Sequence, residues 1–280
     1  MSIAVLTDST SDMTPDMQTA LGVVVVPLYV NFKGSVLKDN LEIKTDDVFA
    51  GVKAGAGMPS TSQPTPVDFS TAYEKLLQTH EKVLSIHLSS KLSGTVASAE
   101  LASRDFAGRV VTFDSEVSSG SLSMMCERAV RLFRAGSSLE EVVAVLERVR
   151  RLTNLRFSVG SLDFLKKNGR IGGAQALIGG LLNIKPILHL VEGKVEPAGR
   201  ARGSKAALED VVGNLRAYKA KHGKVRTAYI FTDKLEDVAP LRTAGREMGV
   251  EEFSVTQTGT VIASHVGPGT YGALSEPVDV

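Results

Sequence analysis

Two hydroxyl-rich loops carry the residue types and spacing in this sequence that best suit chemistry. The first, Pro59-Ser60-Thr61-Ser62-Gln63-Pro64-Thr65-Pro66, sets its hydroxyls among three prolines, which stiffen the loop and fix its donors at small entropic cost. The second, Ser89-Ser90-Lys91-Leu92-Ser93-Gly94-Thr95, follows the apolar run Val83–Leu88 and opens a helix. Hydroxyls and free amides at a helix N-terminus suit a carboxylate or a phosphate. Capping of the helix accounts for either loop taken singly, so a shared ligand requires the fold to bring the two together. His265 stands between Ser264 and Val266, ahead of Gly267-Pro268-Gly269. Such a ring is either a structural hydrogen-bonder or part of a site. His87 alternates with Ile86 and Leu88 and reads as structural.

Further polar segments stand beside these. Thr7-Asp8-Ser9-Thr10-Ser11-Asp12 follows the first apolar run, at the carboxyl edge where α/β proteins place ligands. Capping ahead of Thr14-Pro15 explains the same residues. Lys166-Lys167-Asn168-Gly169-Arg170 ends a short helix and presents Arg170 on a turn, while Arg200 and Arg202 lie on a second glycine-flanked segment. Glycine-bounded arginines in apolar surroundings suit phosphate or partner contacts. Between them, Ile178–Ile187 is apolar and glycine-rich; core, a dimer surface and the wall of a hydrophobic channel are all consistent with it.

Nucleotide and hydrolase patterns fail when tested. Gly267-Pro268-Gly269-Thr270-Tyr271-Gly272 follows Thr260–Ala263, which reads as a strand, and has the dinucleotide glycine spacing. Only eight residues remain beyond Gly272, too few for the helix, strand and distant acid that the motif needs. In Gly199–Lys205 the lysine does not follow the second glycine directly, so it is no phosphate loop. The chain also lacks a nucleophile elbow and a paired-histidine metal motif. These absences predict no ATP site, no nicotinamide site, no cofactor and no metal.

The elements that must position these loops are legible as alternating patterns. Ile3–Leu6, Val23–Val30, Val83–Leu88 and Val110–Phe113 read as strands, several apolar throughout and so covered on both faces. Thr65-Pro66-Val67-Asp68 starts one amphipathic helix and Ser138-Leu139-Glu140-Glu141 another. Strands separated by helices predict parallel crossovers and a three-layer α/β/α domain. After about residue 155, Arg156–Val159 and Ile187–Val191 read as strands, with a turn at Glu192-Gly193 into Lys194–Glu196. A helix over 204–221, a strand over 225–231, a helix over 235–247 and a strand over 253–256 complete a mixed-sheet domain. The domains are expected at 1–157 and 158–280.

Composition narrows the class. The chain has 280 residues, 43% hydrophobic and 22% charged, which excludes a disordered polymer. Lys+Arg 32 against Asp+Glu 31 leaves +1, with no strong field for nucleic acid or acidic membranes. Its single cysteine, Cys126, makes no internal disulfide. No signal-peptide pattern is visible, and the longest apolar stretch, Leu21 to Val30, is interrupted by Pro27. That is short of the ~20 residues of a membrane helix, and a cytoplasmic location is expected.

Taken together, Thr7–Asp12, Pro59–Pro66, Ser89–Thr95, Phe113-Asp114-Ser115, Lys167–Gly172, Leu182–Ile187 and His265–Gly269 resemble the DegV family over nearly the whole chain. Its members include the fatty-acid-binding subunit of a bacterial fatty acid kinase. The resemblance implies an N-terminal α/β/α domain with a parallel sheet, a C-terminal mixed-sheet α/β domain and a lipid held between them. It implies that Thr61, Ser93 and His265 bind the fatty acid carboxylate, with Ser62, Ser90 and Gly94 completing the head-group loops. Arg170 and Arg202 match positions that contact the separate kinase. Such a carrier has no catalytic site of its own: it offers its carboxylate for acyl-phosphate formation. Burying about 14 methylenes at ~0.8 kcal/mol each contributes ~11 kcal/mol gross, so neutral hydroxyls suffice at the head group. The rival expectation is a serine-dependent lipid hydrolase using Ser93 and His265.

Overall fold

The computed structural model of the chain describes residues 2–179 and 183–280; Leu182, in one of the resembling motifs, lies outside them. The apolar run at the start forms β1 (Ile3–Asp8). A short 3-10 turn (Ser9–Ser11) and α1 (Pro15–Leu21) lead from it to β2 (Val24–Val26). The expected strand Val23–Val30 is therefore two. Pro27 offers no N–H to a ladder, and beyond it the chain leaves the sheet to form β3 (Tyr29–Phe32) and β4 (Ser35–Lys38). After α2 (Thr45–Lys53), β5 (Ser60–Ser62) pairs antiparallel with β3, so Thr61 lies opposite Val30.

Two crossovers follow. α3 (Pro66–Leu76) starts at Thr65, whose hydroxyl accepts from the Asp68 N–H while Asp68 accepts from the Thr65 N–H. β6 (Lys82–His87), α4 (Thr95–Ser103) and β7 (Val110–Asp114) complete a parallel sheet of order β2-β1-β6-β7. The first domain ends with α5 (Gly120–Arg134) and α6 (Leu139–Leu152), the latter opened by the expected Ser138–Glu141 capping box.

The second sheet begins with β8 (Asn154–Ser158), which crosses the expected boundary between 157 and 158. α7 (Asp163–Lys167), β9 (Ile184–Val191) and β10 (Lys194–Arg202) follow, then α8 (Gly203–His222), β11 (Val225–Phe231), α9 (Ala239–Glu247) and β12 (Glu251–Gln257). Glu192 and Gly193 both take positive φ, 47° and 78°, the geometry of a tight hairpin. The chain closes with α10 (Thr260–Val266) and β13 (Tyr271–Pro277), giving the order β10-β9-β8-β13-β11-β12 with only β11 and β12 parallel. The sheet is mixed, as expected. Thr260–Ala263, however, is helical: the Gly259 and Val261 N–H groups donate to the buried carboxylates of Asp12 and Asp39. These distant caps override the β-branched composition of the segment.

Apart from the small β4-β3-β5 sheet, the parallel and the mixed sheet stack with helices in five layers. Leu6, Val83 and Val110 pack on α3 and α4, whereas Val5, Leu84 and Ile86 face α5 and α6. The other side of that helix layer meets Leu155, Ala228, Ile230 and Leu274 of the mixed sheet, whose outer face is covered by α8 and α9. The α5–α6 layer thus belongs to both sheets. At its closest point Gly120 lies on Ala228: a β-carbon added at 120 would come within 2.3 Å of the alanine methyl. Buried charges fasten the same layer. Glu276 Oε1 accepts from Arg128 at 2.7 Å and from Arg226 at 2.9 Å, and Arg226 also reaches Glu127 at 2.6 Å.

Candidate functional site

The loop after β1 acts as a bracket for α10. Asp12 Oδ1 accepts from Gly259 N at 2.9 Å and its Oδ2 from the Ser119 hydroxyl, while Asp39 accepts from Val261 N at 3.1 Å and from Ser9 Oγ at 2.6 Å. Burial pushes Asp12 up to about 8 and Asp39 up to about 6, against the hydrogen bonds that favour their charged forms. Asp8 caps the 3-10 turn through Thr10 N. The segment caps other elements than the expected one: α1 is capped by Thr14, whereas Asp8 serves the 3-10 turn and Asp12 serves α10, and none of Thr7–Asp12 lines the cavity described below.

Asp8 also accepts from His87 Nδ1 at 3.0 Å; His87 Nε2 lies 2.6 Å from Ser85 Oγ, which lies 2.9 Å from the Tyr73 hydroxyl. Serine, histidine and acid stand here in the order of a hydrolase triad. Every member is fully buried, so no substrate reaches them, and His87 is structural as its alternation implied.

The bracketed α10 carries His265 to the mouth of a cavity between the two sheets. His265 Nε2 lies 2.8 Å from Thr61 Oγ1, joining α10 to β5. Burial, helped by the nearby Arg170 guanidinium, pushes His265 down to about 4, so the ring is neutral at physiological pH. Its Nδ1 is buried and makes no hydrogen bond among the described residues. Ser93 Oγ lies 2.9 Å from Thr95 Oγ1 and accepts from Thr95 N at 3.3 Å. The hydroxyl loops meet where Gly94 lies on Gln63; a β-carbon at 94 would come within 2.5 Å of the Gln63 amide. The fold satisfies the condition that the sequence left open.

The space between the protein atoms, mouth included, is about 890 Å³. Its lining joins Thr61, Gln63, Ser93, Arg170 and His265 to leucines, Ile230, Phe157 and valines; Gln63 and Arg170 are exposed, which sets this polar group at the side open to solvent. A cavity of this size with apolar walls and few polar groups is built for an apolar ligand with one polar end.

The expected site residues divide on this geometry. Thr61, Ser93, His265 and Arg170 line the cavity, whereas Ser62, Ser90, Gly94 and Arg202 do not. Ser62 points to the other side of β5, where it accepts from Asn31 at 3.3 Å. Ser90 is exposed and its N–H donates to Asp114. Gly94 contributes closeness of backbone rather than a group. Arg170 is anchored by Leu92 O at 3.1 Å and Asn168 O at 2.7 Å; Arg202 is exposed at the end of β10. The pair required by a Ser93–His265 hydrolase is absent among the described hydrogen bonds, since Thr61 holds His265 and Thr95 holds Ser93.

Sequence reasoning missed Gln63, Ser118, Ser119 and Thr270, all of which line the cavity. Ser119 takes φ 55° and ψ −140° at the start of α5, a conformation costly for a residue with a side chain. Its N–H donates to Thr10 O at 2.7 Å and its hydroxyl to Asp12, which hold it there. The available signal was the Ser118-Ser119-Gly120 string opening a helix.

Comparison with known proteins places these features in company. A family model described as "Uncharacterised protein, DegV family" matches residues 2–278. A DegV domain-containing protein of Deinococcus radiodurans is 46% identical over 99% of both chains. Among solved structures, a DegV family protein from Thermus thermophilus, described for its fatty acid binding, superposes with a TM-score of 0.96 at 48% identity, covering 99% of this chain and 100% of that one. DegV from Bacillus subtilis, described as a fatty acid binding protein, superposes at 0.89 with 31% identity and 99% coverage of both chains.

Proposed function

The chain belongs to the DegV family, and from that premise we propose that it is a cytoplasmic fatty-acid carrier without catalytic chemistry of its own. It holds a long-chain acid in the cavity between the sheets and presents the carboxylate to a separate ATP-dependent kinase. The observation that carries the reading is the apolar cavity ending at Thr61, Gln63, Ser93 and His265. The fatty acid binding described for the Thermus and Bacillus structures supports it.

The chemistry of the mouth fits the task. With His265 neutral, the carboxylate meets hydroxyl, amide and imidazole dipoles rather than a buried cation. Its oxygen is held without the bidentate clamp that an arginine would impose, and so stays nucleophilic toward an incoming phosphoryl group. Arg170, exposed beside the mouth, and Arg202 at the end of β10 are the cations we assign to the kinase interface. No helix among the described residues is long and apolar enough to cross a membrane.

Denaturing extraction of the purified protein followed by mass spectrometry tests the ligand class. A long-chain fatty acid is expected at near-stoichiometric yield. Recovery of none, together with no uptake of added palmitic acid, refutes the carrier reading.

A further inference from the structure

The far end of the cavity is closed by two leucines that also wall a second cavity. Leu155 and Leu190 line both the acyl space and a hollow of about 730 Å³ that opens beside Arg150, Thr153 and Glu192. Strand directions fix which end this is. Ser158, at one end of β8, leads into Gly160, which lies against Pro268 just beyond α10 and its His265. Leu155 lies near the other end of β8, opposite Leu274 of β13. Thr270, which also lines the cavity, stands four residues before Leu274, so the cavity runs at least about 13 Å along this stretch at ~3.3 Å per residue. Leu190 follows the register Arg156↔His189 by one step, which sets it across from Leu155 on the same sheet face. Beyond the pair, Arg150 and Glu116 lie 3.7 Å apart at the outer hollow.

We propose that the Leu155–Leu190 pair is the length stop of the acyl site, and that the outer hollow is the overflow space for chains that pass it. The inference rests on the carrier reading and deepens it by naming what sets the preferred chain length. Leu190 is half-buried at the edge of the cluster that contains the α5 and α6 core, so its truncation removes less packing than that of the buried Leu155. The outer hollow is edged by Glu116, Arg150, Arg151 and Glu192 as well as by the leucines, so methylenes that pass the floor gain only part of the affinity they would gain in the apolar space.

The test measures binding of lauric, myristic, palmitic, stearic, arachidic and behenic acids to the delipidated full chain by calorimetric titration. Wild type, Leu190→Ala and Leu190→Phe are compared, with thermal unfolding as the check on folding. Leu190→Ala is expected to raise the behenic-to-palmitic affinity ratio about tenfold, and Leu190→Phe to lower the stearic-to-myristic ratio by a similar factor. If wild type binds palmitic acid and both folded variants keep its length profile, the length stop is overturned. If wild type binds none of the acids, the carrier reading falls first, and the two failures are told apart.

Discussion

The bond between Thr61 and His265 ties a β-strand of the first half to the last helix of the chain, 204 residues away. With the ring neutral, Thr61→Ala leaves a buried nitrogen without its partner, and Ser93→Ala removes a hydroxyl from the mouth. Each is expected to weaken palmitic acid binding by about 1–3 kcal/mol, roughly fivefold to 150-fold in Kd, measured by titration of delipidated protein. Unchanged affinity in both variants would remove these hydroxyls from the head-group site. Thr61, Ser93 and His265 stand out in the sequence as polar residues, but capping and a structural histidine explain them there as well, and only the resemblance to the DegV family gives them a shared ligand. Ser119 and Gln63 do not stand out: the backbone conformation of one and the glycine contact of the other arise from packing across elements.

At the scale of elements, the parallel strands were readable from continuous apolarity, and the starts of α3 and α6 from their caps. The segment 260–266 was not. Its β-branched residues favour a strand locally, and what makes it a helix is a pair of carboxylates more than 200 residues away. Asp12 carries a consequence in pH. Its folded-state pKa of about 8 lies above the ordinary 3.8, so between those values the folded chain keeps a proton that the unfolded chain has lost. Stability from this group is full at low pH and falls by about 1.4 kcal/mol per unit across that window as pH rises. Asp12→Asn has no proton to lose, and its dependence should be flatter by that slope. Urea midpoints compared at about pH 5 and about pH 8 measure it; equal slopes in both proteins would show that Asp12 is ionised throughout.

For the molecule as a whole, the α5–α6 layer makes the two halves one object. Arg128 and Arg226 share a single oxygen of the fully buried Glu276. Breaking such a pair from one side leaves uncompensated charge in the interior, at about 3–5 kcal/mol. Glu276→Gln is expected to lower the urea-derived stability by that amount, with probes of both sheets still reporting one transition. A loss below about 1 kcal/mol would mean that apolar packing alone fastens the layer. Gly120 sets the other term of that junction. Because only a hydrogen stands between the α5 backbone and the Ala228 methyl, the helix sits as near the second sheet as contact permits, and its neighbours Ser118 and Ser119 edge the cavity. The seat of the helix is thus gauged outside that space: a single carbon placed at 120 meets the alanine methyl, and either the helix or the strand has to give way.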